Sequence, residues 1–257
     1  MALWIRFNHA GRTQFGTLQG DRIAVHEGDL FNAPRSTGLS LSVSDVEMLA
    51  PVVPGKIVAL ANNFHALIAK LGIAAPSEPT WFFKSPTSLA APGQAIRMPA
   101  SYAGKVIFEG ELGIVIGKRC SSVAEEDALA HVFGYTCVND VTAIEILRKE
   151  PGFDQWSRSK SFDTFGPMGP AIATGLDPMT LSVRTVLDGS ERQNYPVSDM
   201  IFPPAKLVAL VSRDVTLEPG DVIACGTSLG VGSMKPGAAV EISIEGVGAL
   251  GNRFAPQ

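Results

Sequence analysis

Two glutamates stand two residues apart in the otherwise apolar run Val106-Ile107-Phe108-Glu109-Gly110-Glu111-Leu112-Gly113-Ile114-Val115-Ile116. On a strand, side chains two apart share a face, so Glu109 and Glu111 point one way while Phe108, Leu112, Ile114 and Ile116 point into apolar packing. Like charges about 7 Å apart repel, more strongly as water is withdrawn. A positive group between them relieves this, either a Lys/Arg cluster or a hard divalent cation suited to an oxygen-only site. A strand with one wet face and two solvated glutamates is the ordinary alternative. Asp140 closes a second apolar run, Gly134-Tyr135-Thr136-Cys137-Val138-Asn139, and can be aimed at the same place. Three carboxylates with waters make a cage for Mg²⁺, Mn²⁺ or Ca²⁺. Asp140 as a simple N-cap of a helix over 141–149 competes with that reading.

Lys160 lies in Gln155-Trp156-Ser157-Arg158-Ser159-Lys160-Ser161-Phe162-Asp163-Thr164-Phe165-Gly166-Pro167, a mixture of basic, aromatic and Gly/Pro residues suited to a pocket wall. A lysine beside a cation-bound substrate stabilises developing negative charge, whereas a surface lysine is the commoner occurrence. Gly226-Thr227-Ser228-Leu229-Gly230-Val231-Gly232 follows a strand and can turn backbone N–H groups and the Thr227 hydroxyl towards a carboxylate. It lacks the Gly-Lys-Ser/Thr ending of a phosphate loop.

The elements that must carry these groups read as short strands and turns. Residues 3–7, 14–18 and 23–25 form a small β unit with turns at Gly11 and Gly20-Asp21, and 32–38 reads as a loop. A boundary near Pro51 and Pro54 divides the chain into a small β-rich N-terminal domain, 1–52, and a larger domain, 53–257. Residues 56–60 form a core strand, and a short helix after Asn62-Asn63-Phe64-His65 ends near Gly72. Ser122 with Glu125 three residues on is a capping box for a helix to about 132. Hairpin and turn signals at Asp188-Gly189, Pro219-Gly220 and Pro236-Gly237 mark further strands, and no sustained β-α-β alternation supports a doubly wound sheet.

With 257 residues, 46% of them hydrophobic, the chain can bury a large core and a satellite domain. A net charge of -4 with interspersed signs gives no footprint for nucleic acid or a membrane surface. No apolar run approaches the roughly 20 residues of a membrane helix, and Met1-Ala2-Leu3-Trp4-Ile5-Arg6-Phe7 alternates like a strand, not a leader. Cys120, Cys137 and Cys225 are far apart in apolar runs, as reduced thiols are, so a cytoplasmic location is expected. The scattered histidines His9, His26, His65 and His131 give no zinc-site spacing.

Taken in order, the glutamate strand, Gly134-Tyr135-Thr136 to Asn139-Asp140, Lys160-Ser161-Phe162-Asp163-Thr164-Phe165, Leu217-Glu218-Pro219-Gly220-Asp221-Val222-Ile223 with Gly226-Thr227, and Glu245-Gly246-Val247-Gly248 with Asn252 resemble the fumarylacetoacetate hydrolase family. The resemblance spans roughly residues 55–254, and residues 1–50 resemble the small N-terminal domain of many bacterial members. It implies an α+β, mainly β fold: a mixed β-roll, or β-sandwich, catalytic domain, usually in a homodimer. By the same resemblance Glu109, Glu111 and Asp140 match ligands to Mg²⁺ or a similar ion, and Lys160 matches an active-site lysine. Thr227 matches a position that holds substrate carboxylate, while Asn63-Phe64 resembles an Asn-Tyr pair and is expected to bind substrate.

The implied reaction is hydrolysis of a carbon–carbon bond in a 2-oxo or 1,3-diketo acid through a cation-stabilised enolate. Isomerisation or decarboxylation of an unsaturated 2-oxo diacid is the alternative, and a non-catalytic member that binds metal and a small acid is another. Two departures bear on the choice. Hydrolytic members place a histidine and then a glutamate on a short lid helix, where this chain has Leu67 and Lys70. Where an arginine and a glutamine often face the substrate, it has Ile144 and Leu147, which implies a more apolar pocket or a shorter substrate. His65, two positions from the expected histidine, substitutes only if the lid shifts, and Arg148 replaces the arginine only from one helical turn on.

Overall fold

The strand Gly110–Ile116 lies near the middle of a twelve-stranded sheet. The path of that sheet runs Asn32–Ser42, Arg22–Asp29, Arg12–Gln19, Ala2–His9, Gly166–Thr174, Val132–Asn139, Gly110–Ile116, Val222–Ala224, Ile57–Ala61 and Thr80–Lys84. The structure, a computed structural model, describes residues 1–256. Neighbours on this path are antiparallel except Val222–Ala224, which runs parallel to Ile57–Ala61. A second, five-stranded sheet orders Ser190–Pro196, Ser182–Leu187, Ala239–Ile244, Gly248–Ala255 and Ile96–Arg97. Strands hold 46% of the chain and helices 18%, so the α+β, mainly β expectation holds.

Period-two alternation decides which sheet face each side chain serves. Leu112, Ile114 and Ile116 join Val183, Ile242, Ile244 and Leu250 in the main core. On the opposite face Val115 packs with Ala59, Val138 and Ile172. Each such side chain contributes roughly 1.5–3 kcal/mol by leaving water. Gly113 is required here, because a Cβ would stand 2.7 Å from Val138 Cγ2.

The N-terminal strands extend the large sheet. Ala2–His9 pairs antiparallel with Gly166–Thr174, Trp4 opposite Ile172, and Ala171 joins Ile5, Phe7, Ile23 and Val25 in one cluster.

Several local expectations are corrected. The polar segment expected as a loop over 32–38 is part of the strand Asn32–Ser42, paired with Arg22–Asp29. Its sequence looks loop-like because both faces are largely exposed, and pairing, not burial, orders it. The capping box does not form: Ser122 takes φ 53° with its N–H on the Ser212 carbonyl, and the helix starts later, as the turn Glu125–Ala128 continued by a 3-10 turn Leu129–His131 that ends where expected. No cap forms at Asp140 either, because the backbone passes through the short strand Thr142–Ala143 before a one-turn helix, Ile144–Leu147. The helix His65–Leu71 ends at Gly72 with φ 67°, as expected. The longest helix, Pro204–Asp214, was not anticipated, although proline at its first position and buried Leu207, Val208 and Val211 are helix signals.

Candidate metal centre

The glutamate run is two strands. Val106–Phe108 belongs to a three-stranded sheet with Thr142–Ala143 and Gly232–Ser233, and Gly110–Ile116 belongs to the large one. Glu109 is the joint between them. Its N–H donates to Asn139 Oδ1 at 3.1 Å, and its carbonyl accepts Asp140 N–H at 2.9 Å. Gly110 is needed because a Cβ there would stand 2.1 Å from Thr185 Oγ1. The single continuous strand expected over 106–116 is thus corrected, while both glutamates still reach one site.

Glu109, Glu111 and Asp140 each offer a carboxylate oxygen within 4.8 Å of the others. Asp140 and Glu111 are fully buried, and the Glu109 side chain is 14% exposed, facing a cavity. Lys160, ending the helix Trp156–Lys160, sends Nζ to Glu109 Oε2 at 2.6 Å, Asp140 Oδ2 at 2.7 Å and Thr142 Oγ1 at 2.7 Å. Trp156 stacks on Phe82 at 5.5 Å between centroids, and the same Phe82 ring lies 5.6 Å from Lys160 Nζ, which seats the helix.

A second cation was not foreseen. Lys84, at the end of Thr80–Lys84, is fully buried and donates to Asp140 Oδ1 at 2.6 Å and to the Lys160 carbonyl. Nothing in Trp81-Phe82-Phe83-Lys84 marks it, since its partner lies 56 residues on.

The charge states follow from burial set against these pairs. Burial would raise the Asp140 carboxyl, but Lys160 and Lys84 outweigh it and hold the group below its ordinary value. Burial works against the Lys160 ammonium too, yet Asp140, Glu109 and Glu111 lift it above an ordinary lysine, so it stays charged. Burial, reinforced by the Asp140 and Glu109 charges, pushes Glu111 well above the usual range. Glu109 is raised by burial against the pull of Lys160. Lys84 is lowered by burial against the pull of Asp140.

Glu111 supplies the test of whether a cation fits. Its Oε2 accepts Gly226 N–H at 2.9 Å, while its buried Oε1 has no partner among the described residues. An orphaned carboxylate oxygen beside two further carboxylates, in an all-oxygen set, is suited to a hard divalent ion.

Gly110, between the two glutamates, is gripped from behind. Gln193 Oε1 accepts Gly110 N–H at 3.0 Å, and Gln193 Nε2 donates to Thr227 Oγ1 at 2.8 Å. The Thr227 hydroxyl donates to the Gly110 carbonyl at 2.9 Å, which also accepts the Tyr195 hydroxyl. Sequence reasoning missed Gln193 and Tyr195, which sit in an alternating strand with no sign of a catalytic neighbour.

A cavity of about 210 Å³ opens over Glu109, Thr142, Lys160 and Thr227. Its other walls include Leu67, Leu71, Ile107, Ile144, Leu147 and Val231. Asn63 and Phe64 are not among its lining residues. Asn63 Nδ2 donates to the Phe202 and Cys225 carbonyls and its Oδ1 accepts Phe202 N–H, while Phe64 is buried edge-on against Tyr195. His65 is exposed at the start of its helix, and Lys70 is exposed as well, both outside the lining.

Residues 56–255 match the family described as fumarylacetoacetate (FAA) hydrolase C-terminal, and residues 3–51 match an N-terminal family described as Rv2993c-like. Protein Rv2993c of Mycobacterium tuberculosis is 41% identical over 225 residues, covering 86% of this chain and 83% of that one. The oxaloacetate tautomerase YisK of Bacillus subtilis is 34% identical over 255 residues, covering 92% and 84%. Among solved structures, 2-hydroxyhepta-2,4-diene-1,7-dioate isomerase from Mycobacterium marinum superposes with a TM-score of 0.91 at 35% identity, covering 100% of this chain and 99% of that one. The ordered motifs, the carboxylate cluster and these matches agree that the chain belongs to the fumarylacetoacetate hydrolase family.

Proposed function

We propose that this protein is a divalent-cation-dependent enzyme that enolises a 2-oxo acid, moving a proton between carbon 3 and the 2-oxo oxygen. The observation that carries the reading is a charged floor beneath an apolar roof. Glu109, Lys160, Thr142 and Thr227 form the floor, and Leu67 and Leu71 come from the helix above it. Enolisation needs charge stabilisation at one oxygen and an acceptor for the C3 proton, which solvent can be, but no water positioned for attack on a carbonyl carbon. Hydrolysis needs a base to activate water, and neither His65 nor Lys70 lines the cavity.

Glu109, Glu111 and Asp140 would hold Mg²⁺ or a similar ion. When bound, such an ion supplies Lewis acidity towards an enolate. Lys160, kept charged by its carboxylate partners, adds positive charge where the 2-oxo oxygen becomes negative. Thr227 orients the substrate carboxylate. Its hydroxyl proton is free to swing from the Gly110 carbonyl because the Tyr195 hydroxyl keeps that carbonyl satisfied. Solvent water in the cavity takes the C3 proton, the C3–H electron pair forms the C2–C3 double bond, the carbonyl π pair moves to the 2-oxo oxygen, and that oxygen takes a proton back from solvent, so no oxidant or reductant is required. The similarity to an oxaloacetate tautomerase supports the same reading.

Carbon–carbon hydrolysis of a 1,3-diketo acid is the second reading, favoured by the match of residues 56–255 to the hydrolase family. Proton NMR in deuterated water, with Mg²⁺ or with chelator, on pyruvate, oxaloacetate, acylpyruvates and unsaturated 2-oxo diacids tests both. Mg²⁺-dependent deuterium uptake at C3 is expected, with the carbon skeleton intact for enolisation and cleaved for hydrolysis. No uptake and no product with any acid, while each binds, refutes both and leaves a non-catalytic binder.

A further inference from the structure

We infer that the substrate tail beyond the reacting carbons is uncharged and apolar, so that this chain selects 2-oxo acids with an alkyl end over those with a second, distal carboxylate. The inference rests on the enolising site proposed above and deepens it.

The charged groups of the cavity, Glu109 and Lys160, are paired with each other at 2.6 Å. Beyond them and the Thr142 and Thr227 hydroxyls the lining is mostly aliphatic, with Leu67 and Leu71 from one helix, Ile144 and Leu147 from another, Ile107 and Val231, and its remaining polar side chains are Asn62 and the Trp156 indole. Lys160 is the only cation in the lining, and its ammonium is already shared by Glu109, Asp140 and Thr142. Arg148 and Lys149 follow Leu147 but are exposed and outside the lining, as is Arg192, whose guanidinium lies over Gly232. A carboxylate on the tail would shed water and find no free cation to replace it, with only the Asn62 amide and the Trp156 indole N–H as further polar side-chain groups, whereas an alkyl tail would exchange water for leucine and isoleucine side chains. Exposed Leu71 and Val231 continue the apolar surface at the rim, where a longer tail would lie. Oxaloacetate and 2-hydroxyhepta-2,4-diene-1,7-dioate each carry a second carboxylate, so the tail preference would set this chain apart from relatives named for them.

The test compares 2-oxohexanoate with 2-oxoadipate, equal in carbon number and differing only at the end. Mg²⁺-dependent C3 deuterium exchange should favour 2-oxohexanoate by roughly 100-fold in kcat/KM, the scale on which apolar pockets discriminate. Equal or faster exchange of 2-oxoadipate overturns the inference while leaving the enolising site intact. If neither acid nor pyruvate exchanges, the enolising reading fails, and calorimetric titration of the same pair in Mg²⁺ still reads the tail. Tighter binding of 2-oxohexanoate then upholds the apolar preference; tighter binding of 2-oxoadipate, or no difference, overturns it. Leu67→Arg, on the half-buried helix face, should move the preference towards 2-oxoadipate at least 10-fold, and Leu67→Met should leave it unchanged.

Discussion

Lys84→Met removes one of the two ammonium groups that neutralise Asp140 and replaces it with an unbranched apolar chain. Asp140 loses its 2.6 Å partner at Oδ1 and keeps only Lys160 at Oδ2, and the Lys160 carbonyl loses its donor. Breaking a fully buried pair from one side costs about 3–5 kcal/mol, because the remaining charge is left in low dielectric. For a chain of this size that is a fall in melting temperature on the order of 6–20 °C. The same substitution leaves the carboxylate cluster one positive charge poorer, so a divalent cation should restore more of the loss than it adds to the unaltered protein. Thermal melts in chelator and in excess Mg²⁺ measure both effects, and a cycle with Asp140→Asn isolates the pair. A chelator-treated Lys84→Met protein that melts within about 2 °C of the parent, or a cation increment that does not widen, would refute the account of Lys84 as structural counter-charge.

Glu111→Gln should abolish cation binding in calorimetry while leaving the cation-free melt unchanged or higher, since it removes a buried ionisable group and its amide oxygen can still accept Gly226 N–H. Gln193→Leu should weaken cation affinity roughly 10–100-fold without removing a ligand, because Gln193 clamps Gly110 between the two glutamates; unchanged affinity would make that clamp merely structural. Glu111 is raised in the fold, so without cation its stability contribution is present below the ordinary glutamate value and lost as pH rises through the raised one. Asp140 is lowered, so its contribution is present above the ordinary aspartate value and lost as pH falls through the lowered one. Because a cation displaces the Glu111 proton, the Mg²⁺-induced rise in melting temperature should grow with pH; a rise that shrinks with pH would contradict this.

The carboxylates and Lys160 could be read from the sequence because each is out of place: two acids in an apolar run, an acid at a strand end, a lysine among aromatics and Gly/Pro. Lys84 could not, for a lysine ending a strand is commonplace until Asp140 is folded onto it. The break at Glu109 had a local signal in Gly110, since glycine inside a strand often marks a bend or a close approach, yet only Thr185 arriving from the second sheet explains it. Ser122 carried a helix-start pattern and lost to a tertiary hydrogen bond from its own N–H to Ser212. Asn63 and Phe64 were assigned to substrate by analogy with a motif, while their hydrogen bonds and packing secure the Phe202 and Cys225 backbone and Tyr195.

The strand Gly166–Thr174 is shared, with Ala2–His9 on one side and Val132–Asn139, which delivers Asp140, on the other. Cutting the chain at its apparent boundary would therefore do more than shed an accessory. It would strip the row of N–H and C=O groups that now meet residues 2–4 and bare Ala171, giving any neighbouring molecule a template to dock on. The first fifty residues act as a guard strip for an edge one strand from Asp140 and two from Glu111, so their removal should register as self-association before it registers as lost chemistry.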